Sequence, residues 1–233
     1  MTKIEYINRV MQIMDNVSLT DTFGNFMIGA DTANVDKHIE DSFVDAWRRC
    51  VKVMPRTWFK QESFAGNQIV PDLPAGTGYV ELPANFYLLS KFKMNGWAKA
   101  VYEVSVENER TASLQSNEYT RGSTMRPACT ISSRYVQASV IQTLNYYSLP
   151  KGLTGHTIEE AIYIPVAGSL KDLSDNSELC ISDKVAEPLA YFSASTVFTI
   201  LQKPEIAAAL DQRAAEMFPG LQSVSGNSIT VKQ

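Results

Sequence analysis

The chain has 233 residues, room for one domain with a sizeable insertion, and its 45% hydrophobic and 20% charged residues are those of a packed protein. That balance argues against disorder, and a net charge of −4 with a pI near 5.3 leaves no electrostatic footprint for gripping nucleic-acid phosphates. Three widely spaced cysteines, Cys50, Cys129 and Cys180, suggest neither a disulfide framework nor a zinc site; they read as small buried hydrophobes in a reducing compartment.

The first residues carry charge where a secretion signal needs an apolar run, and no run approaches the ~18 apolar residues of a membrane span. Ile4, Ile7, Met11 and Met14 set a helical stripe over residues 2–17, and Thr2 with Glu5 has capping-box spacing. Leu19 to Ala33 reads as a loop with apolar anchors. Asn34 is expected to cap a stronger helix in which Val35, Ile39, Phe43, Trp47, Cys50 and Met54 share a face and Pro55 marks the stop. Arg48, Arg49 and Lys52 near its end suit the helix dipole on a solvated face.

From Trp58 to about Val166 the period changes to that of strands. Segments 78–82, 87–94, 98–106, 128–132, 136–142, 144–149 and 158–166 are short and rich in Val, Ile, Tyr and Phe. Asn95-Gly96 between two apolar runs predicts a hairpin. Residues 107–126 are polar and read as a long excursion from the sheet. Helical spacing returns at Ser182, with Val185, Leu189, Phe192, Thr196 and Ile200 on one face and Pro188 as either a kink or the true start. Pro204 suits the first position of a last helix faced by Ile206, Leu210, Ala214 and Met217, and Pro219-Gly220 ends it. The tail closes on Ser228-Ile229-Thr230-Val231-Lys232, an alternating strand pattern that needs an edge to pair with.

The expected fold is therefore α+β. A helical bundle forms from both ends of the chain (1–57 and 182–218), with a β-rich insertion (58–181) and an extended docking tail (219–233) whose Ile229 and Val231 are the candidate partner-binding residues.

No motif with chemistry emerges. His38 reads as a solvated helix residue and His156 as a lone turn histidine. Pro74-Ala75-Gly76-Thr77-Gly78 lacks the lysine and helix of a phosphate loop and reads as a tight turn. Glu107, Glu109, Glu159 and Glu160 suit edge-strand charge better than a glycosidase pair. Trp97, Tyr102, Tyr119, Tyr146 and Tyr147 suit strand packing better than a sugar platform. No catalytic, cofactor or metal residue is expected, and no membrane partner. A soluble carbohydrate-binding or carbohydrate-active protein, using Trp97, Tyr119 and the glutamates, is the rival reading from another class.

Several segments occur in the order found in one assembly family. Tyr79-Val80-Glu81-Leu82-Pro83-Ala84-Asn85-Phe86 resembles the strand, Leu-Pro, Asp/Asn, Phe element of head–tail adaptor proteins of short-tailed bacteriophages. Phe92-Lys93-Met94-Asn95-Gly96-Trp97 and Asn117 to Gly122 resemble the continuation in their ring proteins, including the crAss-like group. Tyr146 to Pro150, Leu173-Ser174-Asp175 and the closing helix pair resemble the remainder. This chain departs from the family pattern at Asn85, where an acidic residue is frequent, and its stretch 99–126 is longer and more polar than in a minimal adaptor.

The resemblance implies a virion protein, assembled in the host bacterial cytoplasm. It would form a homo-oligomeric ring, a dodecamer, between the portal protein and tail or further ring proteins, with genomic DNA passing through the lumen unbound. A tail or neck component further from the portal is the alternative within the virion.

Overall fold

The computed structural model describes residues 1–20, 32–106, 110–115, 117, 119–136, 139–153 and 155–217. The fold is α+β, with the chain divided into a helical unit, Met1–Lys60 with Ala167 onward, and a β-rich unit, Gln61–Val166.

The helical unit is built from α1 (Lys3–Thr20), α2 (Thr32–Val53), α4 (Asp183–Ile200) and α5 (Pro204–Glu216). The capping box at the start of α1 is formed: Thr2 N donates to Glu5 Oε2 at 2.8 Å and Glu5 N to Thr2 Oγ1 at 3.3 Å. The buried face of α1 is Tyr6, Ile7, Val10, Ile13 and Met14, so the expected stripe is rotated and Ile4 is exposed. Tyr6 sets that rotation. Its ring packs edge-on against Phe43, and its hydroxyl lies 2.6 Å from Ser193 Oγ in α4, where burial pushes its pKa up.

Helix α2 begins at Thr32, so Asn34 lies inside the helix and not at its cap. Trp47 is buried and meets Phe59 edge-on. Arg49 leaves the solvated face expected of it, pairing with Asp211 of α5 and stacking 4.7 Å over Phe192. Helix α4 is buried nearly all round because α1, α2 and α5 all pack on it; of its expected face, Ile200 alone is exposed. Pro188 lies inside α4, which starts five residues earlier at Asp183, and Pro204 opens α5. The chain rejoins this unit at Ala167 and not after residue 181. Buried Lys3 holds the returning segment, donating to Leu173 O at 3.1 Å and pairing with Glu40 at 2.7 Å, while Leu179 N bonds Met1 O.

The β-rich unit has two sheets. One is ordered β1-β8-β4, with β1 (Glu62–Ser63), β4 (Phe86–Met94) and β8 (Ile158–Pro165). The other is ordered β2-β3-β7-β6-β5, with β2 (Ile69–Asp72), β3 (Thr77–Glu81), β5 (Ser105–Val106), β6 (Cys129–Val136) and β7 (Ser139–Tyr146). Pairing is antiparallel except for the short parallel pair β5–β6. A single apolar core joins the sheets, with Phe64, Leu89, Phe92 and Tyr163 from one side and Val80, Cys129, Leu144 and Tyr146 from the other.

Four expectations need correction here. The Asn95-Gly96 turn exists, with Gly96 at φ 92°, but it leads to one bridge, Phe92 to Val101, and not a hairpin. β8 pairs along the opposite edge of β4, and the strand expected over 98–106 is reduced to Ser105–Val106. The separate strands 136–142 and 144–149 are one strand, β7, paired antiparallel with β6 from Val136–Ser139 to Cys129–Tyr146. Cys180, expected to be buried, is exposed; the excursion from the sheet carries a short helix, α3 (Arg110–Gln115).

Candidate assembly interface

Strands β6 and β7 are each eight residues long, but β3 pairs with β7 only from Thr143 to Tyr146. Leu82 N adds one bond to Gln142 O, after which Pro83, which has no N–H to offer, carries the chain away. On the other side β5 pairs with β6 only at Thr130 and Ile131. The far half of the hairpin, residues 133–136 with 139–142, is thus an arm that extends past the strands on either side.

Cross-strand partners share a sheet face, so the pairs Cys129–Tyr146, Ile131–Leu144, Ser133–Gln142 and Tyr135–Val140 lie on one side. The first two pairs are in the core. The last is in the open, Tyr135 75% and Val140 69% exposed. The core-facing side of the hairpin therefore ends in an uncovered apolar pair.

A buried polar network stiffens the opposite side of the hairpin. Asn145 Nδ2 donates to Ser132 Oγ at 2.8 Å and to Thr130 Oγ1 at 3.3 Å. Ser132 Oγ lies 3.1 Å from Thr143 Oγ1, and Thr130 Oγ1 lies 3.0 Å from Tyr147 OH. Arg134 donates to Asn145 Oδ1 at 3.0 Å and lies 4.2 Å above the Tyr79 ring, which fixes the root of the arm.

The 110–126 excursion is pinned too. Arg121 donates through Nε to Gln115 O at 3.0 Å and through Nη1 to Ala75 O in the β2–β3 turn at 3.1 Å. Gly122 N donates to the buried Gln115 Oε1 at 3.0 Å, and Ala98 N to Thr124 O at 2.9 Å. Tyr119, 96% exposed, and Met125, 61% exposed, stand out from this tethered segment.

The residues weighed for chemistry are dispersed. Glu159 and Glu160 are successive residues of β8, so they point to opposite faces; one pairs with Lys93 at 2.8 Å and the other with Lys91. Glu107 and Glu109 lie outside the described residues. Trp97 and Tyr146 are core residues, Tyr102 and Tyr119 are exposed, and Tyr147 bonds Thr130, so the five aromatics form no common platform. Of the Pro74–Gly78 segment, residues 74–76 lie in the turn between β2 and β3, with Gly76 at φ 67°, and Thr77 and Gly78 begin β3. His38 is a half-buried residue of α2. His156 is buried against Tyr146.

Asn85, the departure from the family pattern, accepts from Tyr163 OH at 2.8 Å and donates to Glu62 Oε2 at 3.4 Å. An aspartate there would face the Glu62 carboxylate with no proton to give it. Ile229 and Val231 lie outside the described residues. Among the described residues no group of His, Cys, Asp and Glu is placed to hold a metal ion, and no helix is long and apolar enough to cross a membrane.

The exposed pair Tyr135–Val140 was not singled out from the sequence. The signal was present as the apolar pairs Tyr135-Val136 and Val140-Ile141, but Gln137 and Ala138 between them are not turn formers. No protein-family model matches the chain, and no curated protein matches it.

Proposed function

We propose that this chain is a structural subunit of a homo-oligomeric ring, a head–tail connector of a short-tailed phage, and that the β6–β7 arm makes the contact between subunits. The observation that carries the reading is the uncovered Tyr135–Val140 pair on an arm whose root is locked by the Thr130–Ser132–Thr143–Asn145 network. A stiff arm with an apolar tip loses little conformational entropy when it docks. The tethered Tyr119 and Met125 add apolar surface to the same unit. The position between portal and tail rests on the segmental resemblance around Tyr79–Phe86 and Phe92–Trp97. With a net charge of −4, weak contact with DNA suits a conduit through which a genome must slide.

Native mass spectrometry of the purified full chain, alone and mixed with its portal protein, tests this. A closed ring, alone or on the portal, is expected for the wild type, and subunits that no longer associate for Tyr135→Ser/Val140→Ser. A wild type that stays monomeric under both conditions, or a double variant that assembles as well as the wild type, overturns the reading.

A further inference from the structure

After β7 the chain leaves the five-stranded sheet and crosses to β8 of the three-stranded one. His156 lies at the end of that crossing, two residues ahead of Ile158, and is only 8% exposed. Its ring meets Tyr146, the last residue of β7, edge-on at 5.5 Å between centroids, and its Nδ1 is 2.6 Å from the Tyr146 hydroxyl. Thr157 O next to it accepts from Asn95 N at 2.9 Å, at the turn that ends β4. The end of the crossing is thus tied to both sheets, to the five-stranded one through the imidazole, while its earlier residues are held to the β2–β3 turn by Leu149 N on Gly76 O and Gly152 N on Leu73 O.

The surroundings leave this contact little room to adjust. Tyr146 is fully buried and lies directly opposite Gly78 of β3. A methyl group on Gly78 would overlap the Tyr146 hydroxyl and stand 2.7 Å from Val70 O, so the hydroxyl occupies the space that a side chain would fill. The second ring nitrogen, Nε2, is buried and has no hydrogen-bond partner. A neutral imidazole tolerates that environment. An imidazolium has two N–H donors and a full charge, and here one of the donors has no acceptor. The titratable groups acting on the ring are Tyr146 from β7 and Asp72 at the end of β2.

We propose that His156 is an acid-released latch between the two sheets of the β-rich unit: neutral, it ties the end of the β7–β8 crossing to Tyr146, and protonated, it lets that end go. Burial lowers the His156 pKa below its ordinary 6.5, and the Asp72 carboxylate opposes that shift only in part. The sign follows. The unfolded chain binds the proton more readily than the folded one, so stability is complete above pH 6.5 and is lost as pH falls from 6.5 through the lower folded pKa. One proton taken up on opening changes the opening equilibrium by at most about tenfold per pH unit. The latch does not depend on the assembly reading, because every group in it belongs to one β-rich unit.

Hydrogen exchange of the full-length protein, corrected for intrinsic rates, tests the latch between pH 7.5 and 5.5. Amides of β3 and of the end of the crossing are expected to lose protection by up to about tenfold per pH unit below 6.5. His156→Gln should remove that pH dependence, and Tyr146→Phe should weaken protection at pH 7.5, where the wild-type tie is intact. An equal slope in His156→Gln overturns the proposal. Should that variant not fold, NMR titration of the wild-type His156 ring decides: an apparent pKa below 6.5 supports the latch, and one at or above 6.5 overturns it.

Discussion

The helical unit encloses its central helix, while the β-rich unit leaves an apolar pair uncovered at the end of its longest hairpin. In the helical unit α4 is enclosed by three helices; Arg9–Glu187 ties α1 to α4, Arg49–Asp211 ties α2 to α5, and Lys171–Asp41 ties the returning chain to α2. In the β-rich unit, Tyr135 and Val140 stand uncovered at the end of an arm that a buried polar network keeps stiff. The difference lies in what each kind of element can cover. Neighbouring helices can surround a helix on every side, but a hairpin longer than its flanking strands runs out of neighbours. Apolar surface is worth roughly 25 cal/mol per Å² when removed from water, so side chains left outside contribute nothing to the monomer and are available to a partner.

Substitutions can break or sharpen this contrast. The largest effect is expected inside the helical unit: Trp47→Ala should cost about 3–5 kcal/mol, because the ring is buried against Phe59. Chemical denaturation of the full chain measures it, and an unchanged midpoint would mean that the helices do not depend on this side chain. Gly78→Ala should cost about 1–3 kcal/mol through overpacking against Tyr146, since the neighbours are a buried hydroxyl and a strand carbonyl. Its loss should appear in the exchange of β2, β3 and β7, leaving α2 and α4 protected. The smallest effect on stability belongs to the arm. Tyr135→Ser with Val140→Ser should change monomer stability by no more than about 0.5 kcal/mol for each residue, as for other exposed positions. A loss of several kcal/mol in the double variant would mean that the arm serves the fold, and the contrast between the units would fail.

The helices were legible because their signals are local. Thr2 and Glu5 are three residues apart and form the capping box that spacing predicts, and Pro204 opens α5 as a first-turn proline should. The strands Gly78–Leu82, Tyr87–Met94 and Ile158–Val166 matched β3, β4 and β8 to within a residue at each end, since each is a dense β-branched and aromatic run. The arm was not legible. Gln137-Ala138 lacks the glycine or asparagine that marks a tight turn, whereas Gln142-Thr143 interrupts an apolar run and so reads as a break. Asn95-Gly96 misled in the opposite way. The turn is real, but Phe92 and Val101 make one bridge before the chain departs, and the long partner of β4 is β8 on its other edge.

The sequence by itself determined where the four long helices lie, where most strands lie and that the chain is α+β, because capping, proline position and side-chain period act over a few residues. Only the tertiary structure decided which strands are neighbours, which face of α1 is covered and where an apolar side chain is left in water. Those outcomes depend on partners far away in the chain. Tyr6 is turned inward by Ser193, and His156 is buried by Tyr146, whose hydroxyl fits because residue 78 has no side chain. Val140 is exposed because β3 stops pairing at Thr143. No local period encodes the length of a strand's neighbour.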